Sequence, residues 1–404
     1  MNLMQALERS PLPRELAFSE AEYRDRVRKA QKLMSERGLD ILLISSTPNL
    51  GYLTGYDSTM SCGYTIGILG QTGDVELHCS ELEAPCALLF STIKKIEVFY
   101  WYDAQDTATQ LGKMLADRGA NGKRIGLEMG NAETFASGAF DTKSYLRLVE
   151  VLPKAKFVDA TRLVLDVRLI KSPAEIGYMK QAGKYTWTGL KASLDAAAEG
   201  TTDNEVVAAG YGAMIAAGSE LMSIDPMIMT GKRAGYMPHI PYKRIKLAKG
   251  DAIYLEYSGC HQRYNAPGMR SAVIGNPPDG TKRLADACIK VLELLLENVR
   301  SGRTGDEIAK IAKRGFEAAP KDTFFHGGFG YAIGMGFQPT WTENPVYIAE
   351  GSDVPLRPGM TFHLPICAWV PTDKYGVGFS ESVVVTETGC ETLGPGLERH
   401  LHLR

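Results

Sequence analysis

Long apolar runs, cysteine pairs and clustered charge are all missing from this 404-residue sequence. No stretch approaches the ~20 uninterrupted apolar residues that a helix needs to cross a bilayer. Residues 1–22 alternate apolar with charged side chains and do not build the continuous apolar core of a secretory signal. Acidic and basic residues nearly cancel, to a formal net charge of −2, and no lysine- or arginine-rich block stands out. A nucleic-acid partner is therefore not expected, because phosphate contacts demand clustered positive charge. The seven cysteines, Cys62, Cys79, Cys86, Cys260, Cys288, Cys367 and Cys390, are scattered, odd in number and free of CxxC spacing. Such spacing fits neither a disulfide framework nor a zinc site, and reduced thiols point to the cytoplasm.

What is present is the composition of a globular protein, 44% hydrophobic and 23% charged, with enough chain for two domains that each bury a core. Apolar runs over Leu39–Ser45, Gly63–Gly70, Asp74–His78, Ile96–Tyr100 and Arg124–Glu128 read as strands. Glu22–Gly38, Glu81–Phe90 and Ala104–Gly119 read as helices between them. Alternation of this kind predicts an α/β domain with a mixed sheet.

Val167–Glu175 marks a junction, since Ser172-Pro173 supplies a helix cap and a first-turn proline ahead of the long helical pattern Ala174–Ala196. A second helix is expected over Asp203–Ala216. Strands are expected over Ala252–Tyr257, Met269–Gly275, Thr361–Ala368 and Phe379–Thr386, and helices over Lys282–Val299 and Thr304–Ala318. Helix pairs followed by antiparallel-looking strands, twice over, suggest a pseudo-symmetric α+β half-barrel. The glycines at 327, 328, 330 and 334 are no dinucleotide fingerprint, because position 333 is Ile333 and the run falls late in the chain. They suit close backbone approach within a sheet.

Several landmarks recur in a fixed order: Pro238-His239-Ile240-Pro241, Lys249-Gly250-Asp251, Arg270-Ser271, Gly328 to Gly334, Arg357-Pro358-Gly359-Met360, and Glu381 ahead of Val383. From about residue 167 to the end they resemble the creatinase and M24 aminopeptidase ("pita-bread") family. Asn49-Leu50-Gly51-Tyr52-Leu53-Thr54-Gly55-Tyr56 resembles that family's N-terminal domain. The resemblance implies an α/β creatinase-type domain over residues 1–166 and an α+β pseudo-symmetric pita-bread catalytic domain over residues 167–404.

Peptidases of this family hold two metal ions with two Asp, one His and two Glu. Counting along the landmarks places those positions at Tyr257, Gly268, Tyr331 and Pro365, with Glu381 as the surviving carboxylate. Glycine and proline carry no donor and a neutral tyrosine is a poor ligand for a hard cation. The resemblance therefore implies a metal-free member with no cofactor. Within the family, the run Glu256–Ser271, Met360-Thr361-Phe362-His363 and the pair Trp341 and Glu343 are similar to the ectoine-hydrolase subgroup.

Each candidate also has a plainer reading. Glu256 lies among apolar and aromatic neighbours, where a carboxylate is either a partner of Arg263 or Arg270 or a working group. The resemblance implies that it is the nucleophile. His239, in a proline-flanked loop, is either a solvated side chain or, as the resemblance implies, the general acid/base, a role that suits an imidazole near neutrality. Glu381 is either a structural group in the sheet or an anchor for a substrate cation. Tyr257, Tyr331 and Trp341 are either core aromatics or an aromatic wall for a planar cation. Glu343 and His363 join the binding set on the resemblance alone. His326 and the Cys260-His261 pair are weaker candidates, the latter lacking a second pair at ligand spacing.

The activity implied is metal-independent hydrolysis of a C–N bond in a small zwitterionic amidine or amide. Ring opening of ectoine to N-acetyl-diaminobutyrate leads. An Xaa-Pro peptidase, a creatinase and an inactive binding module are the alternatives. Creatinase grips its substrate carboxylate with arginines that are missing from Asp57–Tyr64 and Phe337–Glu350 here, which leaves Lys232, Arg233 or Arg263 for that task. Members of the family are usually homodimers whose N-terminal domain reaches the partner's site, so Asn49–Tyr64 is expected to contribute there. No membrane contact is expected.

Overall fold

The computed structural model describes residues 3–9, 11–60, 63–100, 106–130, 140–236 and 238–404. The chain divides into two compact units, Met1–Arg168 and Leu169–Arg404.

Among the described residues the first unit is built on six strands: β1 (Ile41–Ile44), β2 (Thr65–Gly70), β3 (Glu76–Ser80), β4 (Ile96–Phe99), β5 (Arg124–Leu127) and β6 (Lys156–Asp159). They lie in the order β4-β3-β2-β1-β5-β6. β1 runs antiparallel to β2 and parallel to β5, so the sheet is mixed, as the alternating pattern predicts. Helix Glu20–Glu36 starts at Ser19, whose hydroxyl accepts from the Glu22 amide. Of the helix expected over Ala104–Gly119, Thr107–Asp117 is helical, and its first two residues lie outside the described residues, as does Cys62.

The Asn49–Tyr56 segment forms a fully buried helix, Thr47–Thr54, that stops at Gly55 with φ 89°. Its N-terminus has no side-chain cap of its own. Glu128 takes that place, accepting from the Ser45 and Ser46 amides at 2.7 and 2.6 Å and from Asn49 Nδ2 at 2.6 Å. Arg168 donates to Asn49 Oδ1 at 2.7 Å. Burial pushes the Glu128 carboxyl up to about 7 against the opposing pull of these donors.

The second unit opens with helix Pro173–Ala196. Ser172 and Glu175 form a reciprocal capping box, with Ser172 Oγ accepting from the Glu175 amide and the Glu175 carboxylate accepting from the Ser172 amide. The strands that follow are β7 (Met227–Thr230), β8 (Ala252–Tyr257), β9 (Cys260–His261), β10 (Tyr264–Asn265), β11 (Gly268–Val273), β12 (Gly328–Phe337), β13 (Thr340–Ala349), β14 (Thr361–Val370), β15 (Tyr375–Val385), β16 (Cys390–Thr392) and β17 (His402–Leu403). One sheet has the order β17-β11-β8-β7. The other runs β16-β15-β14-β12-β10-β9, with β13 also paired to β12.

Each sheet carries a helix pair on one face. Helices Pro173–Ala196 and Asp203–Ala216 pack Leu190, Leu194, Val206 and Met214 against Ile228, Ile253 and Leu255 of the smaller sheet. Helices Asp279–Asn298 and Gly305–Ala312 bring Leu284, Val291, Leu295 and Ile308 onto Phe362, Leu364, Phe379 and Val383 of the larger. This is the pseudo-symmetric α+β pita-bread arrangement.

Candidate active site

The site lies on the inner faces of the two sheets in the second unit. Along β8, successive side chains alternate between faces. Ile253, Leu255 and Tyr257 join the helix-side core, while Tyr254 joins a separate buried cluster with Met229, Ala234, Met269 and Cys367. Glu256 is two residues on from Tyr254 and shares its face. It stands opposite Met227 on one neighbouring strand and Met269 on the other. Tyr254 spans toward the larger sheet, where Gly378 lacks the carbon that would overlap its ring. Ile240 and Trp369 pack against the rim of this cluster.

Glu256 is 4% exposed, and among the described residues its hydrogen-bond donor is the Tyr254 hydroxyl. Burial drives its carboxyl up to about 7, and the Tyr254 hydrogen bond pulls the other way. Among the described residues neither Arg263 nor Arg270 forms an ion pair with it, so it is not the structural salt bridge that its setting allows. A carboxyl poised near neutrality exchanges a proton readily and, when ionised, is weakly solvated. Both properties suit acid/base or nucleophilic work.

A second polar group lies within reach of its charge. Tyr331 and His363 are cross-strand partners in β12 and β14. The Tyr331 Oη stands 2.8 Å from His363 Nδ1 and accepts from the Trp341 indole N–H at 2.9 Å. His363 Nε2 lies 2.7 Å from Ser380 Oγ. Burial holds His363 down to about 3, so its ring is neutral. The charge of Glu256 disfavours ionisation of Tyr331 and of Cys367, so both side chains lie within its electrostatic reach.

Other residues singled out from the sequence fall elsewhere. Tyr257, one residue past Glu256, points into the opposite core, where its Oη meets Ser193 Oγ at 2.7 Å. Glu381 is buried against two arginines, with Arg270 Nη2 at 2.7 Å and Arg399 Nε at 3.1 Å. Arg270 also donates to the Met269, Ser380, Leu397 and Glu398 carbonyls and stacks over Trp187 at 4.3 Å. Glu381 is thus the counter-ion of a structural arginine, and the neighbouring Ser380 is the β15 residue that reaches the His363 network. Glu343 forms a buried ion pair with Lys171 at 2.5 Å and accepts from the Met335 amide at 3.0 Å. It holds β13 against β12, leaving Trp341 to touch the Tyr331 hydroxyl.

His239 is exposed, next to the Ile240 that packs on the Tyr254 cluster. His326 is made less basic by desolvation and, second, by the charge of His239 within electrostatic reach. Arg263 lies over the Phe337 ring at 4.4 Å, and Arg233 pairs with Asp203 at 3.8 Å. Four residues that the sequence reading passed over belong to the site or brace it: Tyr254, Cys367, Ser380 and Lys171. Tyr254 was accessible from strand alternation, sitting two residues before Glu256.

The donor set does not suit a pair of divalent ions. Among the described residues Glu256 is the one carboxylate of the cluster, both His363 nitrogens are engaged, and Glu381 is held by arginines. Among the described residues no group of three or more His, Cys, Asp or Glu side chains is arranged to hold a metal. No helix among them is long and apolar enough to cross a membrane.

Comparison with known proteins agrees with this architecture. Residues 177–387 match metallopeptidase family M24, and residues 26–170 match the creatinase/prolidase N-terminal domain. The chain is 32% identical to an ectoine hydrolase of Halomonas elongata, over 94% of this chain and 96% of that one. It is 24% identical to an Xaa-Pro dipeptidase of Pyrococcus horikoshii, over 91% and 96%. Among solved structures, the X-Pro aminopeptidase from Thermotoga maritima superposes with a TM-score of 0.79 at 22% identity, covering 94% of this chain and 99% of that one. A dipeptidase from Pyrococcus horikoshii gives 0.80 at 23%, covering 94% and 100%. The chain is a hydrolase-family protein: it belongs to metallopeptidase family M24 and carries the creatinase/prolidase N-terminal domain.

Proposed function

We propose that this protein hydrolyses a C–N bond of a small zwitterionic amidine or amide without a metal ion, with ectoine as the leading substrate. The observation that carries the reading is Glu256: buried, without a cation partner among the described residues, hydrogen-bonded by Tyr254 and poised near pH 7. Similarity to the ectoine hydrolase over nearly the whole chain supports the substrate class.

In this reading the ionised Glu256 attacks the amidine carbon. A carbon–oxygen bond forms as the C=N electron pair moves onto nitrogen. His239 protonates the departing nitrogen as the ring C–N bond breaks. Water then adds to the ester-like carbon with His239 taking its proton, and Glu256 is released. Tyr331 and Trp341 supply an aromatic wall for the cationic ring. In a homodimer, the Asn49–Tyr64 segment of the partner completes the pocket, and the protein works in the cytoplasm.

A substrate panel tests this directly: ectoine, hydroxyectoine, creatine and an Xaa-Pro dipeptide, each with and without chelator. Chelator-resistant ring opening of ectoine is expected. Stoichiometric metal with chelator-sensitive dipeptide cleavage would refute it.

A further inference from the structure

The proton inventory of the Trp341–Tyr331–His363–Ser380 chain leaves two arrangements. The indole N–H can only donate, so one Tyr331 lone pair is always taken. In the first arrangement Tyr331 gives its proton to His363 Nδ1, and Nε2–H donates to Ser380 Oγ. The Ser380 hydroxyl proton then has no acceptor among the described residues, at a position with no solvent exposure. A buried donor left unpaired is costly. In the second arrangement Ser380 donates to Nε2 and Nδ1–H donates to the Tyr331 oxygen. Every buried proton is then used, and the free donor is the Tyr331 O–H. Tyr331 is also the one member of the four that keeps appreciable solvent-accessible surface. The hydroxyl is only partly buried, and the charge of Glu256 lies within electrostatic reach of it.

We propose that Ser380 and His363 are positioning residues that turn the Tyr331 hydroxyl outward as a donor to the substrate atom that receives the electron pair when its carbon is attacked. The assignment rests on the Glu256 pocket being the reaction site. Tyr331 forms a hydrogen bond and transfers no proton, so it stabilises developing charge as the donors of an oxyanion hole do. It does so from a neutral ring network that needs no cation.

The decisive measurement is the tautomer of His363, read from imidazole nitrogen shifts in ¹⁵N-histidine-labelled protein at pH 7.5, with the His363 signals assigned by their loss in H363Q. A proton on Nδ1 is expected, and a proton on Nε2 overturns the proposal. Kinetics with ectoine supply the second readout. Y331F should lower kcat about 100-fold with KM little changed. S380A should move the proton to Nε2 and lower kcat about tenfold, and S380T should restore both. S380A with wild-type kcat and an unmoved proton would sink the idea, and should that variant not fold, the wild-type tautomer still decides. Wild-type turnover in E256Q would instead bring down the pocket assignment, leaving the tautomer result standing.

Discussion

Tyr254 donates its hydroxyl proton to the Glu256 carboxyl from two residues back on the same strand, so a single stretch of β8 carries both the buried acid and its tuning group. That hydrogen bond favours the carboxylate and opposes the upward push of burial. If ionised Glu256 is the attacking group, kcat/KM falls on the acid side of pH 7. Tyr254→Phe removes the opposing pull and should move this limb to higher pH. A pH profile of the variant that overlays the wild type would separate Glu256 from the reaction.

The same shift has a signature in stability. Glu256 titrates near 7 in the folded protein against an ordinary value of 4.5, so the folded state holds its proton more tightly. The stabilisation this provides is complete below about pH 4.5 and is lost as pH rises through 7, amounting to about 3 kcal/mol at most. Glu256→Gln keeps the shape and discards the titration. Its advantage over the wild type in urea midpoint should therefore be absent near pH 4, grow between pH 5 and 7, and level off above. Parallel midpoints across this range would contradict the assignment.

Glu381 presents the opposite case. Glu381→Gln strips the charge that compensates Arg270, both side chains being buried. Losing one partner of such a pair costs about 3–5 kcal/mol, which thermal unfolding would register as a drop of several degrees. The KM of the remaining folded protein should not move. A raised KM at unchanged melting temperature would return Glu381 to the substrate.

Tyr257→Phe should cost about 1 kcal/mol, for one hydrogen bond to Ser193, and leave turnover intact. Ser193 keeps its bond to the Val206 carbonyl at 2.8 Å. A large loss of activity in a stable Tyr257→Phe protein would mean that the helix-side core reaches the site after all.

Much of the framework was legible in the sequence because its signals are local. Ser172-Pro173 and Glu175 announce a helix start, and the helix begins at Pro173. Asp203–Ala216 and Ala252–Tyr257 have the expected bounds. β13 was not legible, since it carries Pro345 and pairs with β12 through several register shifts, where a proline ordinarily argues against a strand. The candidate site was half legible as a cluster of side chains. Glu256, Tyr331, Trp341 and His363 fall within one neighbourhood, whereas Tyr257 and Glu381 each stand one residue away from a side chain of that cluster, Glu256 and Ser380. In a strand, one residue is the difference between two faces of a sheet. β8 reads Ala-Ile-Tyr-Leu-Glu-Tyr and is buried throughout, so no polar alternation marks which side is inward. Only the third dimension separates Glu256 from Tyr257.

Gly378 seats the Tyr254 ring. Because no side chain projects there, the Tyr254 ring settles against bare backbone of the opposite sheet, and its oxygen is kept level with the carboxyl two residues on. A methyl at that point would lift the phenol like a shim under a bearing, and the acid would lose its companion although neither residue had been altered. The pairing of Tyr254 with Glu256 thus hangs on empty space across the molecule, which makes position 378 a place to detune that hydrogen bond while both partners stay as they are.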